Sequence, residues 1–264
     1  MYPIITLGFV KLYVFPFILM TAFFSCLFVF ILSKKYDTFS FPFIQKAMLY
    51  AMAGAVVGGK LLFLLTQIGK DGVSFIDLFS GFVFYGGFIG ALVGLYVYSK
   101  KHQQSFLDLT DVFASLLPLG QAIGRLGCYC NGCCYGKEYH GFLAVRYVIE
   151  DKSVYVFPTW FVESAFCLTV FIAFFCITKP KPSGFYTSAY MILYSVFRFF
   201  IEFMRGDTIR GVWNGLSTSQ VISIIVMAAG IILAIISHKQ KLTNVIITQR
   251  QNDKEPNMHI IMTK

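Results

Sequence analysis

Seven times along this chain an apolar run is long enough to cross the hydrocarbon core of a bilayer, a distance that takes about 20 helical residues. The runs fall near 12–32, 45–66, 82–99, 110–127, 160–178, 184–204 and 218–237. A hydrophobic content of 57% and a mean hydropathy of +0.69 lie outside the usual range of soluble domains. The expected fold is therefore an all-α integral membrane protein of seven transmembrane helices over residues 1–237, with a polar cytoplasmic tail, poorly ordered, over 238–264. The first run has only Lys11 ahead of it, no small-residue cleavage site, and Lys34 and Lys35 behind it, so it reads as a retained helix rather than a signal peptide.

Loop charge sets the expected orientation, because Lys and Arg are retained on the cytoplasmic side. Lys34, Lys35, Lys46, Lys100, Lys101, Lys179, Lys181, Lys239, Lys241, Arg250, Lys254 and Lys264 follow the odd-numbered runs, twelve in all. The other side holds seven: Lys11, Lys70, Lys137, Arg146, Lys152, Arg205 and Arg210. This places the N-terminus outside and the C-terminus in the cytoplasm. The formal charge of +9 is not gathered on a basic face with interleaved aromatics, which argues against nucleic acid and for anionic lipid as partner. The longest connection, 128–159, mixes charges with the β-branched run "LAVRYVIE" and is expected to form an extracytoplasmic cap, with that run a strand or an interfacial stretch.

A charge inside an apolar run costs about 2.5–3.5 kcal/mol on insertion scales, so each one marks a functional candidate. In "YMILYSVFRFFIEFMRGD", Tyr194, Arg198, Glu202 and Arg205 recur at helical spacing along one face. Arg198 and Glu202 can neutralise each other. Alternatively the two arginines exceed the one carboxylate and, with Arg125 and Lys60 from other runs, leave positive charge for a phosphate or phosphodiester, which Arg grips as a bidentate fork. Gly86, Gly90 and Gly94 repeat every four residues and Gly120, Gly124 and Gly127 share a face, the pattern of close helix packing. Pro118 removes a backbone hydrogen bond from the fourth run, which is tolerated inside a bundle or beside a cavity. Tyr13 and Tyr85 can be read as interfacial aromatics.

Four of the seven cysteines crowd into "GRLGCYCNGCCYG" at 124–136: Cys128, Cys130, Cys133 and Cys134. The C-x-x-C of Cys130 and Cys133 can be a redox pair, half of a zinc site, or a structural bridge. No second C-x-x-C or histidine pair accompanies it and His140 is the only histidine in reach, so no metal site is expected. Cys26, Cys167 and Cys176 lie in apolar runs and read as small hydrophobes.

Taken in order, these segments resemble the prolipoprotein diacylglyceryl transferases, bacterial seven-helix membrane enzymes. Tyr13 stands where that family opens its first helix with tyrosine, and "AVVGGKLLF" is similar to its second-helix G-(A/G)-R motif with Lys60 in place of Arg. "FYGGFIGALVG" resembles H-G-G-L-I-G, and "LGQAIGRLGCYCNGCCYG" the signature G-R-x-G-N-x-x-N-x-E-x-x-G. "FPTWFVES" resembles P-T-Q-L-Y-E, "FRFFIEFMRGD" R-F-x-x-E-F-x-R, and "STSQVISI" S-x-x-Q-x-x-S. The resemblance implies transfer of the diacylglyceryl group of phosphatidylglycerol to the lipobox cysteine of an exported prolipoprotein at the bacterial inner membrane, without cofactor. It implies Arg125, Arg198, Tyr13 and Tyr85 as catalytic residues, and Arg125, Asn131, Gly136, Arg198, Glu202, Arg205 and Lys60 as substrate-binding ones. Three positions depart from the pattern: Tyr85 replaces the family's histidine, Cys128 its first signature asparagine and Cys133 its signature glutamate. Two alternatives accompany the transferase reading, a phospholipid-binding paralogue without transfer and a thiol-redox protein using Cys130 and Cys133.

Overall fold

Apolar side chains facing lipid leave the backbone no water to bond, so the segments close their hydrogen bonds internally as helices. A computed structural model describes residues 4–7, 10–33, 39–67, 81, 83–149, 152–206, 212–213 and 215–254. Among them run seven α-helices: α1 Val14–Leu32, α2 Phe41–Gln67, α3 Phe84–Lys101, α4 Phe106–Cys130, α5 Thr159–Cys176, α6 Phe185–Ile201 and α7 Thr218–Lys254. Five are long and apolar enough to cross a membrane, namely α1, α2, α4, α5 and the Thr218–Gln240 part of α7. The chain is thus a helical, multi-pass membrane protein. The remaining two are shorter or more polar: α3 ends on Lys100 and Lys101, and α6 has 17 residues with Arg198 in its last turn.

Several boundaries differ from those read in the sequence. Tyr13 precedes the first helix, in the hairpin of β1 Ile4–Leu7 and β2 Val10–Tyr13, where it pairs with Ile4. Helix α4 extends to Cys130, taking Cys128 and Cys130 out of the expected cap. It stops there because Gly132 adopts φ +69° and closes a Schellman turn, its N–H donating to Tyr129 O (3.1 Å) and that of Cys133 to Cys128 O (3.0 Å). The run at 143–150 does form a strand: β3 Val145–Ile149 pairs antiparallel with β4 Lys152–Val156. The sixth helix ends at Ile201 and tightens into a 3-10 turn, Glu202–Met204. A two-residue pair, β5 Val212–Trp213 with β6 Leu216–Ser217, leads into α7, which stays helical to Lys254 rather than ending at 237. Of the charges counted for orientation, Lys34, Lys35, Lys70, Arg210 and Lys264 lie outside the described residues.

The chain divides into two compact units, residues 29–113 and residues 1–28 with 114–264. In the first, α2 and α3 meet along glycines. A Cβ on Gly90 would collide with the carbonyl of Gly54, one on Gly86 with that of Gly58, and one on Gly94 with that of Tyr50. In lipid the association of helices rests on such close backbone approach. The α2 half of this seam is Gly54 and Gly58, themselves four residues apart and in register with the series on α3. At one end of the pair the buried Tyr98 packs on Phe43, Tyr50 and His102, and Lys101 Nζ donates to the Tyr50 hydroxyl (3.2 Å).

In the second unit, Gly120 and Gly127 of α4 face α1 at Cys26 and at Phe15 and Ile18. The thiol of Cys26 donates to Leu116 O (3.5 Å), beside the buried Pro118. Ser164 of α5 bonds Ala122 O on α4 (2.8 Å), Phe166 stacks on Phe197 of α6 (4.0 Å), and Gly230 of α7 lies against Met191 and Ile192. These contacts bring the inner faces of α4, α5, α6 and α7 to one site.

The α2–α3 seam predicts that Gly90→Ala destabilises the protein by about 1–3 kcal/mol, the usual cost of overpacking. Gly124→Ala should be near neutral, since no described atom lies within 4 Å of a Cβ placed there. Thermal unfolding of both variants in detergent micelles checks the contrast.

Candidate functional site: an arginine cage on a buried glutamate

Proline at the entrance of α5 sets the first turn of that helix, and Glu163 follows on the face turned toward α4 and α6. Its side chain is 1% exposed. A carboxylate so far from water is sustained only by partners that replace its hydration. Arg125 Nη2 lies 2.7 Å from Oε1, the Tyr194 hydroxyl donates to the same oxygen (2.7 Å), and Gln121 Nε2 donates at 3.4 Å. Arg198 Nη1 approaches Oε2 at 3.8 Å. Gln121 is held in turn by the hydroxyl of Tyr190, and Arg125 Nη2 also donates to Tyr194 (3.3 Å).

Arg198 is shared. Its Nη2 lies 2.8 Å from Glu202 Oε2 and donates to Ser219 Oγ (3.3 Å) on α7. Glu202 takes a second cation, Arg205 Nε at 3.8 Å, and accepts from Ser217 Oγ (3.0 Å). The Arg198–Glu202 pair expected from spacing therefore forms, but as part of a larger array. Three guanidiniums stand against two carboxylates, leaving one positive charge in surroundings where Arg198 and Arg205 side chains are 10% and 4% exposed. At low dielectric that charge attracts an anion far more strongly than it would in water.

Glu163 was not singled out from the sequence, although two signals were present. It is a charge inside the fifth apolar run, and it is the glutamate of "FPTWFVES". Of the residues that were singled out, Arg125, Arg198, Glu202 and Arg205 come together. Asn131 follows the last turn of α4 and is exposed, its N–H bonding Gly127 O (3.0 Å). Gly136 joins the loop to the end of α6: its N–H donates to Phe157 O (3.0 Å), it bridges Arg205, and a Cβ there would strike Phe157 O. Lys60 and Tyr85 belong to the unit of residues 29–113, where Lys60 Nζ donates to Gly81 O (3.0 Å) and Tyr85, 45% exposed, packs edge-on against Phe84. The side chain of Tyr13 lies outside the described residues.

The cysteines group differently from the C-x-x-C reading. All seven are free thiols, and the Sγ atoms of Cys128, Cys133 and Cys134 lie within 4.8 Å of one another, without Cys130. The Schellman turn stacks Cys133 over Cys128. Cys134 then adopts φ +58°, a left-handed conformation uncommon outside glycine, and the Thr159 hydroxyl pins its carbonyl at 2.5 Å. The Cys128 thiol donates to Gly124 O (3.9 Å) and the Cys133 thiol to Cys128 O (3.6 Å). Arg125 Nη1 reaches the Cys134 sulfur at 3.9 Å. Three soft donors able to hold a metal are therefore present where spacing indicated none. His140 instead pairs with Glu138 (3.4 Å).

Comparison with known proteins agrees with this arrangement of segments. Residues 3–236 match the prolipoprotein diacylglyceryl transferase family. The phosphatidylglycerol--prolipoprotein diacylglyceryl transferase 2 of Clostridium perfringens is 36% identical over 196 residues, 71% of this chain and 76% of that protein. The enzyme of that name, without the numeral, from Clostridium tetani is 36% identical over 67% of this chain and 74% of its own length, and that of Finegoldia magna 33% over 78% and 83%.

Removing the Glu163 charge leaves the half-buried Arg125 and the buried Arg198 without the carboxylate they share. Glu163→Leu is expected to cost about 3–5 kcal/mol, the usual penalty for breaking a buried pair from one side. Glu163→Gln, which keeps an acceptor for Tyr194, should cost less. Unfolding midpoints of the two variants in one detergent test the order.

Proposed function

The chain belongs to the prolipoprotein diacylglyceryl transferase family, and from that membership we propose that it transfers the diacylglyceryl group of phosphatidylglycerol to the lipobox cysteine thiol of exported prolipoproteins, releasing glycerol phosphate. The observation that carries this reading is the arginine cage: Arg125 and Arg198 converge on Glu163, and Arg198 and Arg205 on Glu202, with a net positive charge left over.

In this reaction the acceptor sulfur attacks the glyceryl carbon that bears the phosphate ester. The carbon–oxygen bond breaks and its electron pair leaves with the phosphate, so negative charge grows on the leaving group. Preorganised donors in a water-poor site stabilise such charge without having to reorient. Arg125 and Arg198 would grip the phosphate. Glu163, Glu202 and Tyr194 are positioning residues, fixing the guanidiniums through the contacts described. Glu202 accepts from Ser217 and lies against both Arg198 and Arg205, and Arg205 also bridges Gly136, which favours positioning over direct substrate contact for these two residues. Gly136 holds the cap loop against α6. Asn131, Lys60, Tyr13 and Tyr85 keep, in this proposal, the substrate contacts that the family resemblance implies.

The proposed setting is the bacterial inner membrane, crossed by all seven helices, with the N-terminus and the β3–β4 hairpin outside and the C-terminus in the cytoplasm. There the site would meet exported acceptors as they emerge.

Arg125→Ala and Arg198→Ala should each lower transfer by about 10²–10³-fold, the scale of losing one donor to a developing anion. Transfer of the diacylglyceryl group from phosphatidylglycerol radiolabelled in that group to a lipobox peptide in proteoliposomes measures it. Full activity in both variants would rule the mechanism out.

A further inference from the structure

The transferase reading leaves the acceptor thiol without a proton acceptor. The two positions where the family resemblance expects a histidine and a glutamate hold Tyr85 and Cys133, and one of them belongs to the three-thiol cluster. We propose that Cys128, Cys133 and Cys134 bind a single divalent soft cation, zinc in the first instance, whose fourth position takes and activates the acceptor's cysteine thiol.

Geometry supports the ligand set. Tetrahedral zinc binds thiolate at about 2.3 Å, which separates its sulfurs by about 3.8 Å. The three sulfurs already lie within 4.8 Å of one another, about 1 Å from that spacing. The backbone is committed to the arrangement: the Schellman turn brings Cys133 over Cys128, and Cys134 is held at positive φ by Thr159. Cys130, the other half of the C-x-x-C, is left out. Three thiolates and a dication carry one net negative charge, equal and opposite to the charge left over in the arginine cage, whose Arg125 Nη1 lies 3.9 Å from Cys134 Sγ.

A second observation is independent of the sulfurs. Among the described residues, four buried side-chain polar atoms lack a hydrogen-bond partner: Arg198 Nη1 and Glu202 Oε2, which sit in ion pairs of the arginine cage, and the Tyr147 hydroxyl and Trp160 indole N–H, which have no such charge partner. Tyr147 and Trp160 belong to the aromatic group that flanks the cysteines, with Tyr129 4.6 Å from Trp160 and 6.2 Å from Tyr147, and Tyr135 5.8 Å from Tyr147. Buried polar atoms of this kind are rarely left unsatisfied. The indole N–H needs an acceptor, which a backbone carbonyl of a peptide bound at the fourth position would supply and the cation alone would not.

Three protein ligands with one open position are the pattern of a catalytic rather than a structural zinc site, and a thiol that coordinates the metal loses its proton. The inference rests on the thiol-acceptor reading above and balances as follows. The acceptor's S–H proton passes to water as sulfur binds the metal. Sulfur then forms a bond to the glyceryl carbon, the carbon–oxygen bond to phosphate breaks, and the phosphate oxygen keeps the pair. The resulting thioether dissociates and the metal remains divalent throughout.

Cobalt(II) serves as the probe. Full-length protein, purified in detergent under reductant and freed of metal, is titrated with cobalt alone. The expected result is one equivalent bound with a sulfur-to-cobalt charge-transfer band and the strong visible bands of tetrahedral cobalt, displaced by equimolar zinc. Cys128→Ser, Cys133→Ser and Cys134→Ser should each lose the band, and Cys130→Ser should keep it. A lipobox peptide should intensify the band, while its Cys→Ser form should not. Folded wild-type protein that binds no cobalt, or binds it without a thiolate band, overturns the proposal, as does a disulfide between any two of the three cysteines in protein from freshly lysed cells. Metal-free protein that transfers at the full rate refutes the metal and leaves the transferase reading standing. Protein with the cobalt signature, responsive to peptide thiol, that transfers nothing keeps the site and refutes the transferase.

Discussion

One buried carboxylate organises this protein. Glu163, 1% exposed, is surrounded by Arg125, Arg198, Tyr194 and Gln121, which replace the water it gave up. Those partners come from α4 and α6, so the charge that α5 carries into the bundle fixes how three helices face one another. Glu202 repeats the device at the end of α6, tying Arg198 and Arg205 to the start of α7 through Ser217. The site and the packing of its unit are therefore the same set of contacts, and the excess positive charge is their by-product.

The unit formed by α2 and α3 is held differently. Its two helices meet where Gly54, Gly58, Gly86, Gly90 and Gly94 let backbones touch. This contrast follows from lipid as solvent. Apolar side chains gain little by leaving lipid for one another, so adhesion requires either close backbone contact or polar groups that lipid cannot satisfy.

The cysteine-rich loop shows where linear spacing misleads. Cys130 and Cys133 look paired because they are three residues apart, yet a helix terminus lies between them. Gly132 ends α4 and reverses the chain, which puts Cys133 back over Cys128, five residues behind it, and leaves Cys130 aside. The glycine in "CNGCC" was the local signal for this reversal.

The sequence by itself determined that the chain is a helical membrane protein, where its apolar segments lie, which charges interrupt them and which family it belongs to. Those properties are local: hydropathy, helical period and motif order are read along the chain. Only the tertiary structure decided that Glu163 rather than Glu202 alone neutralises the arginines, that three particular thiols meet, and that Gly136 joins a loop to a helix end. Each of these depends on groups separated by tens of residues that share one desolvated space, and desolvation has no signature in a single segment.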